Sequence, residues 1–191
     1  ILEPFSRNTA PAITISAFFS LNLEKNSNIL ILSSDHLIND EKKFIEIINL
    51  GFHYSNAGRL VTFGVIPDAP ETGYGYIESE NILCNSVPKG ENIKKFIEKP
   101  NLKAAEKLLK RKSFSWNSGI FIFRAKTLLE EINKFNPSIY RCCEKALEEI
   151  QFDLDFIRVS RNYYKDCPNI SIDFAVMEKT SLGTVLPLDV G

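Results

Sequence analysis

Hydrophobic positions along this chain switch between a helical period and short continuous runs. Ala10 to Asn22 reads as a helix, with Ile13, Ala17 and Leu21 on one face. Asn28 to Ser33 is a short apolar run of the kind expected for a strand buried on both faces. Asp40 to Gly58 predicts a second helix. Phe44, Ile47, Ile48 and Gly51 share a face of it, and Asp40 is placed to cap it. Leu60 to Ile66 is rich in β-branched residues and predicts a strand.

Pro67-Asp68-Ala69-Pro70 breaks the pattern, and Gly73-Tyr74-Gly75-Tyr76 leads into a strand through Ser79. Ile93 to Glu98 predicts a strand ended by Lys99-Pro100, after which Asn101 caps a helix to about Lys112. Ser118 to Arg124 is a strand, Lys126 to Phe135 a helix, and Pro137 to Ile150 a helix with Pro in its first turn. Ile172 to Glu178 is a short helix and Thr184 to Leu188 a last strand. Strands alternating with helices predict an α/β fold around a mainly parallel sheet. Ligands of such sheets gather at the carboxyl ends of the strands. The loops after Ser33, Ile66, Glu98 and Phe123 therefore come first in a search for chemistry.

Composition narrows the classes. The 191 residues are 44% hydrophobic and 25% charged, ordinary values for a globular domain. A net charge of -1 favours neither nucleic acid nor an anionic membrane as partner. Runs such as Ile29 to Leu32 are too short to span a bilayer. Cys84, Cys142, Cys143 and Cys167 show no CxxC spacing, so reduced thiols of a cytoplasmic protein explain them better than zinc or redox chemistry. The chain opens in mid-phrase at Ile1-Leu2-Glu3-Pro4 and stops just after a strand-like run, so both ends read as cuts.

Asp35, in Ser33-Ser34-Asp35-His36, follows a strand at the ligand edge and suits magnesium, which takes one or two protein oxygens. A turn cap is the simpler account of Asp35 taken alone. Arg7, Asn8 and Thr9 open a helix, where free N–H groups favour anions; taken alone, an ordinary N-cap at Thr9 with a solvated Arg is the better account. Tyr74 and Gly75 lie in a Gly-Tyr-Gly turn that lets backbone approach a ligand, or simply turns. Because Pro100 ends the strand, Glu98 and Lys99 can reach one pocket, accepting from sugar hydroxyls and balancing phosphate charge; an exposed ion pair is the alternative. Asn117 offers donors and acceptors to a sugar, Gly119 allows close approach, and Trp116 shapes the pocket or the core. Asp173 starts a short amphipathic helix, where N-cap chemistry accounts for it.

Taken in order, EPFSRNTAPA at 3–12, SSDH at 33–36, VTFGVIPDAPETGYGYI at 61–77, FIEKP at 96–100, WNSGIFIF at 116–123 and SIDFAVMEK at 171–179 resemble the mannose-1-phosphate guanylyltransferase family. The resemblance covers nearly the whole chain. It implies a Rossmann-like nucleotidyltransferase domain with a mainly parallel (mixed) central sheet flanked by helices. It implies transfer of GMP from GTP to mannose 1-phosphate, giving GDP-mannose and pyrophosphate, in the cytoplasm. Asp35 would ligate Mg2+. Arg7, Asn8, Thr9, Asp35 and His36 would bind nucleotide. Tyr74, Gly75, Glu98, Lys99, Asn117, Gly119 and Asp173 would bind sugar phosphate, with Asp35 and Lys99 the catalytic pair. GTP and mannose 1-phosphate are the implied partners, neither nucleic acid nor membrane is implied, and a homodimer is a candidate assembly.

The family opens with a Gly-rich phosphate loop of the type GGxGxRLxPLS, which this chain lacks, and Ser6 stands where a Gly is common. Leu186 to Gly191 ends just before the second metal-binding Asp that the resemblance implies. Residues 1–191 are thus expected to be a nucleotidyltransferase domain fragment, impaired on its own. The competing expectations are a nucleotidyltransferase for another sugar 1-phosphate and a non-catalytic sugar-nucleotide-binding regulatory subunit.

Overall fold

The computed structural model describes residues 1–190. The chain forms two compact units, Ile1–Ile29 with Ala125–Lys179 and Leu30–Arg124 with Thr180–Gly191.

The first unit is helical. α1 (Thr9–Leu23) packs on α4 (Ala125–Phe135) and α5 (Pro137–Glu148). The predicted single apolar face of α1 is wider in fact: Ala10, Pro11, Ile13, Thr14, Ile15 and Ala17 are all buried. Thr14 survives there because its hydroxyl donates to the Ala10 carbonyl at 2.7 Å. Phe18 meets Tyr140 edge-on, ring centroids 4.9 Å apart. A hairpin of β6 (Gln151–Asp153) and β7 (Phe156–Arg158), then the short α6 (Arg161–Tyr164), follow α5. The sequence pattern predicts neither. The hairpin strands are too short for a period to show, and Leu154 in the turn holds a left-handed φ of 53° without the usual Gly or Asn.

Asp173 corrects an expectation. Residues Asp173–Met177 form one π-helical turn rather than an α-helix, and Ile172, which has no capping oxygen, occupies the N-cap. The Glu178 N–H reaches back five residues to the Asp173 carbonyl at 2.9 Å. Ser171 does the capping instead, its hydroxyl accepting from the Phe174 N–H at 3.4 Å.

The second unit is a six-stranded mixed sheet in the order β1-β5-β2-β8-β4-β3. The strands are β1 (Asn28–Ile31), β2 (Leu60–Val65), β3 (Tyr76–Ser79), β4 (Glu91–Ile97), β5 (Phe114–Arg124) and β8 (Gly183–Pro187). β2 and β8 run parallel, whereas β2–β5, β3–β4, β3–β5 and β4–β8 are antiparallel. Because β3 pairs with β5 as well as β4, five strands join in a closed circuit.

α2 (Glu41–Asn56) lays Ile47 and Ile48 on Val61, Phe63, Ile120, Ile122 and Leu186. Burying aliphatic side chains of this kind stabilises by roughly 1.5–3 kcal/mol each. Asp40 caps α2 as expected, accepting from the Lys43 N–H at 3.0 Å. α3 (Leu102–Leu109) is capped by Asn101, which accepts from the Ala104 N–H at 3.0 Å, and its Ala105 packs on Tyr76 and Phe114. It stops before Lys112 because the chain must turn through Arg111 to bring Phe114 into β5.

β1 is the second correction. It ends at Ile31 and is only half-buried, with Leu30 and Leu32 exposed. It is the end strand of the sheet, with β5 as its neighbour among the described residues, so it is not enclosed on both sides. No helix of the described residues is long and apolar enough to cross a membrane.

Candidate active site

In the second unit the ends of β3, β4 and β5 converge. Tyr76 is opposite both Ile97 and Trp116, which brings the Tyr74-Gly75 turn, the Glu98-Lys99 corner and Asn117 to one place. The Asn117 N–H donates to the Gly75 carbonyl at 2.8 Å. A Cβ on Gly75 would lie 2.7 Å from Glu98 Oε2 and 3.4 Å from Asn117 Cβ, so only glycine leaves room for the carboxylate. Glu98 is nearly enclosed and pairs through Oε1 with the exposed Lys99 ammonium at 2.7 Å. Lys99 takes a left-handed φ of 44° ahead of Pro100, a strained conformation of the sort that collects at functional sites.

Tyr74 is half-exposed, with its ring edge-on to Trp116 at 5.3 Å between centroids. The Trp116 indole Nε1 is buried and has no hydrogen-bond partner. The β2–β5 register breaks between Thr62 and Gly64. Thr62 faces Phe121 and Gly64 faces Asn117, so Ser118, Gly119 and Ile120 together oppose Phe63. Gly119 carries φ 73°, which this bulge requires. The Thr62 hydroxyl sits 2.9 Å from Asn117 Oδ1 and 3.0 Å from the Ile120 carbonyl. Sequence reasoning passes over Thr62, because a threonine in a strand carries no signal of its own.

Asp35 and His36 lie exposed in and after a turn that follows β1. Among the described residues no group of three or more His, Cys, Asp or Glu side chains is arranged to hold a metal ion. Asp35 fits magnesium only as a single carboxylate ligand, an arrangement usual where substrate phosphates and water complete the shell. Asp189, in the last described segment, is paired with Lys43 at 2.8 Å.

In the first unit, Asn8 is the N-cap of α1 at a left-handed φ of 66° and is exposed. Thr9 Oγ1 accepts from the Ile172 N–H at 2.9 Å, which ties the start of α1 to the segment bearing Asp173. The Arg7 guanidinium is turned into the unit. It donates to the Lys165 carbonyl, lies over the Phe5 ring at 5.7 Å, and leaves its buried Nε without a partner. Nearby, the Tyr164 hydroxyl donates to Glu3, and burial followed by that carboxylate pushes the phenol well above its ordinary range. Cys143 is raised, first by its hydrogen bond with Cys167 and then by burial; that same bond draws Cys167 down. The structure therefore gathers Tyr74, Gly75, Glu98, Lys99, Asn117 and Gly119 in one unit, and Arg7, Thr9 and Asp173 in the other.

Residues 1–171 match the family of nucleotidyl transferases. The chain belongs to that family. It is 48% identical, over its whole length, to mannose-1-phosphate guanylyltransferase 2 of Escherichia coli O157:H7 and 46% identical to the mannose-1-phosphate guanylyltransferase of Salmonella montevideo. It spans 41% of the length of each of these relatives. Among solved structures it is similar to one described as mannose-6-phosphate isomerase from Helicobacter pylori, at 37% identity and TM-score 0.88, covering 99% of this chain and 72% of that one. A second, described as mannose-1-phosphate geranyltransferase from Thermus thermophilus, is 29% identical with TM-score 0.82, covering 98% of this chain and 52% of that one.

Proposed function

We propose that the protein, at the length of its relatives, transfers GMP from GTP to mannose 1-phosphate, releasing pyrophosphate and forming GDP-mannose in the cytoplasm. The observation that carries the reading is the convergence of Gly75, Glu98 and Asn117, where a carboxylate and an amide meet against bare backbone. That combination suits a sugar: Glu98 accepts from hydroxyls, Asn117 donates or accepts, and Tyr74 covers one side. The Lys99 ammonium next to Glu98 is placed to offset sugar-phosphate charge. The names of the guanylyltransferase relatives and of the Helicobacter pylori structure support a mannose phosphate as the sugar.

Phosphoryl-group chemistry of this kind depends on positioning and charge neutralisation more than on a covalent nucleophile. The sugar phosphate oxygen attacks the α-phosphorus of GTP in line. Asp35 would hold Mg2+, which when bound offsets charge on the phosphate oxygens. Asn8 and Thr9, at the start of α1, together with Arg7 and His36, serve the nucleotide, and Asp173 serves the sugar side. A homodimer is compatible with this reading, and it requires neither nucleic acid nor membrane.

The test is calorimetric titration of the full-length protein with GDP-mannose and magnesium, with UDP-glucose as control. Selective binding of GDP-mannose that weakens with Asp35→Ala is the expected result. Binding of UDP-glucose in preference would point to another sugar 1-phosphate. GDP-mannose binding without any pyrophosphate release from GTP and mannose 1-phosphate would point to a regulatory subunit.

A further inference from the structure

Residues 3–8 belong to no helix or strand among the described residues, yet they lead straight into the start of α1. A cavity of about 450 Å³ lies beside them, lined in part by Glu3, Pro4, Ser160 and Arg161, so continuous packing does not fix the stretch on that side. What holds it there is one short run, residues 161–165. The Tyr164 hydroxyl donates to Glu3 Oε1. The Arg161 guanidinium lies 4.5 Å from the centroid of the Phe5 ring, which also carries the Arg7 guanidinium at 5.7 Å. The Lys165 carbonyl accepts from Arg7. Side chains 3, 5 and 7 thus all engage one neighbour, just ahead of Asn8 and Thr9. That neighbour is itself fixed. The Ser160 N–H donates to the Ala146 carbonyl of α5 at 2.9 Å, and Tyr164 is fully buried. A close-packed ring keeps one rotamer, so its hydroxyl is a stationary donor.

We infer that residues 161–165 form a clamp on the stretch that leads into α1, with Tyr164 as its positioning residue, so that Asn8 and Thr9 meet the nucleotide in one arrangement. The inference rests on the nucleotide reading of Arg7, Asn8 and Thr9. Its logic is one of entropy. A stretch without a hydrogen-bonded ladder of its own must be ordered by something, and each residue fixed costs conformational freedom. If the nucleotide did the ordering, that cost would be subtracted from its affinity. Here both ends are already tied: the Leu2 N–H donates to the Ile157 carbonyl at 2.8 Å, and Thr9 Oγ1 accepts from the Ile172 N–H at 2.9 Å. The clamp fixes the residues between. Tyr164 and Lys165 are neighbours, so the bond to Glu3 also sets where the carbonyl that receives Arg7 stands. Loss of that bond loosens the approach to Asn8 without touching the residues that serve the sugar phosphate in the other unit.

The test is steady-state kinetics of GDP-mannose formation by the full-length protein. Tyr164→Phe keeps the ring and removes the donor. Glu3 is exposed, so water meets its carboxylate in the variant and Tm should change little. The KM for GTP should rise roughly three- to tenfold, the worth of one hydrogen bond, with kcat and the KM for mannose 1-phosphate unchanged. A merely structural loss would lower the amount of active enzyme, and so the apparent kcat, without moving KM. In a Glu3→Ala background Tyr164→Phe should have no further effect, because the group it holds is gone. Should Tyr164→Phe not fold, Phe5→Leu, which keeps apolar bulk but removes the ring face shared by Arg7 and Arg161, carries the same comparison of the two KM values. An unchanged KM for GTP, an equal rise in both KM values, or an equal penalty in the Glu3→Ala background would overturn the inference. Absence of GDP-mannose synthesis by the unsubstituted protein would instead sink the functional reading, and this inference with it.

Discussion

Gly75 and Glu98 occupy space that a single added carbon would contest: a Cβ at residue 75 would stand 2.7 Å from the Glu98 carboxylate and 3.3 Å from the Phe96 ring. The carboxylate is the far end of a side chain and can swing away, so Gly75→Ala should fold. The displaced Glu98 then no longer meets its ligand. Misplacement of about 1 Å in a site can cost on the order of a hundredfold. We expect Gly75→Ala to lower kcat/KM for mannose 1-phosphate roughly ten- to a hundredfold, by that measure, with only a small fall in Tm. A large fall in Tm with unchanged kinetics would show that the glycine serves the fold alone.

Lys99 separates strain from charge in the same corner. Its φ of 44° is a left-handed conformation that costs a side-chain-bearing residue roughly 1–2 kcal/mol. Lys99→Gly removes both the strain and the ammonium, whereas Lys99→Ala removes only the ammonium. Urea unfolding should therefore find the Gly variant more stable than the Ala variant by about 1 kcal/mol, after the greater freedom of unfolded glycine offsets part of the relief. Both should bind sugar phosphate poorly. Equal stability would show that the left-handed backbone carries no strain. The ion pair to Glu98 is lost in both variants and cancels in the comparison between them.

Much of this corner is legible in the sequence. Pro100 fixes where β4 must end, and the paired glycines around Tyr74 mark a close approach. α1 to α5 can be read in the sequence, α2 and α3 also from the caps Asp40 and Asn101, whereas α6 cannot. What cannot be read is non-local. Nothing in the string says that β5 begins at Phe114, pairs with both β2 and β3, and bulges opposite Phe63. Pairing direction and bulges are set by which strands meet, and those partners lie dozens of residues apart. Thr62 is invisible for the same reason, since its hydroxyl meets Asn117 only once β2 and β5 pair. Arg7 reads as a solvated cation in the sequence, but its guanidinium is drawn in by Phe5 and the Lys165 carbonyl.

The caps give a prediction independent of function. Asp40 Oδ1 accepts from Lys43 at the start of α2, and Asn101 Oδ1 accepts from Ala104 at the start of α3. Each Ala substitution leaves a helix N–H without its side-chain acceptor. Asp40→Ala and Asn101→Ala should each lower unfolding stability by about 1 kcal/mol and, being far apart in sequence and on different helices, should add. Their kinetic constants should match the unsubstituted protein. Denaturant melts of the two single variants and the double variant decide it, and a double variant no weaker than either single one would show that the caps act on a shared element.

The four thiols should label in an order set by exposure and charge together. Cys84 is exposed, and its thiol is drawn below the ordinary value first by the hydrogen bond with Ser86, whose hydroxyl is 3.1 Å away. Cys142 is half-buried and pushed up by that burial, while Cys143 and Cys167 are enclosed. The thiolate is the reactive form, so an aromatic disulfide reagent near neutral pH should take Cys84 first, Cys142 slowly, and the other two only once denaturant opens the first unit. Cys84→Ser should abolish the fast phase and leave activity intact. Ser86→Ala should slow that phase below about pH 8, where the thiolate fraction limits the rate, and leave it unchanged above about pH 10, where the thiol is ionised regardless. Rapid labelling of Cys167 in the native protein, read by mass spectrometry, would mean that its low thiol value is matched by real access. The packing of α5 and α6 would then open far more readily than its burial indicates.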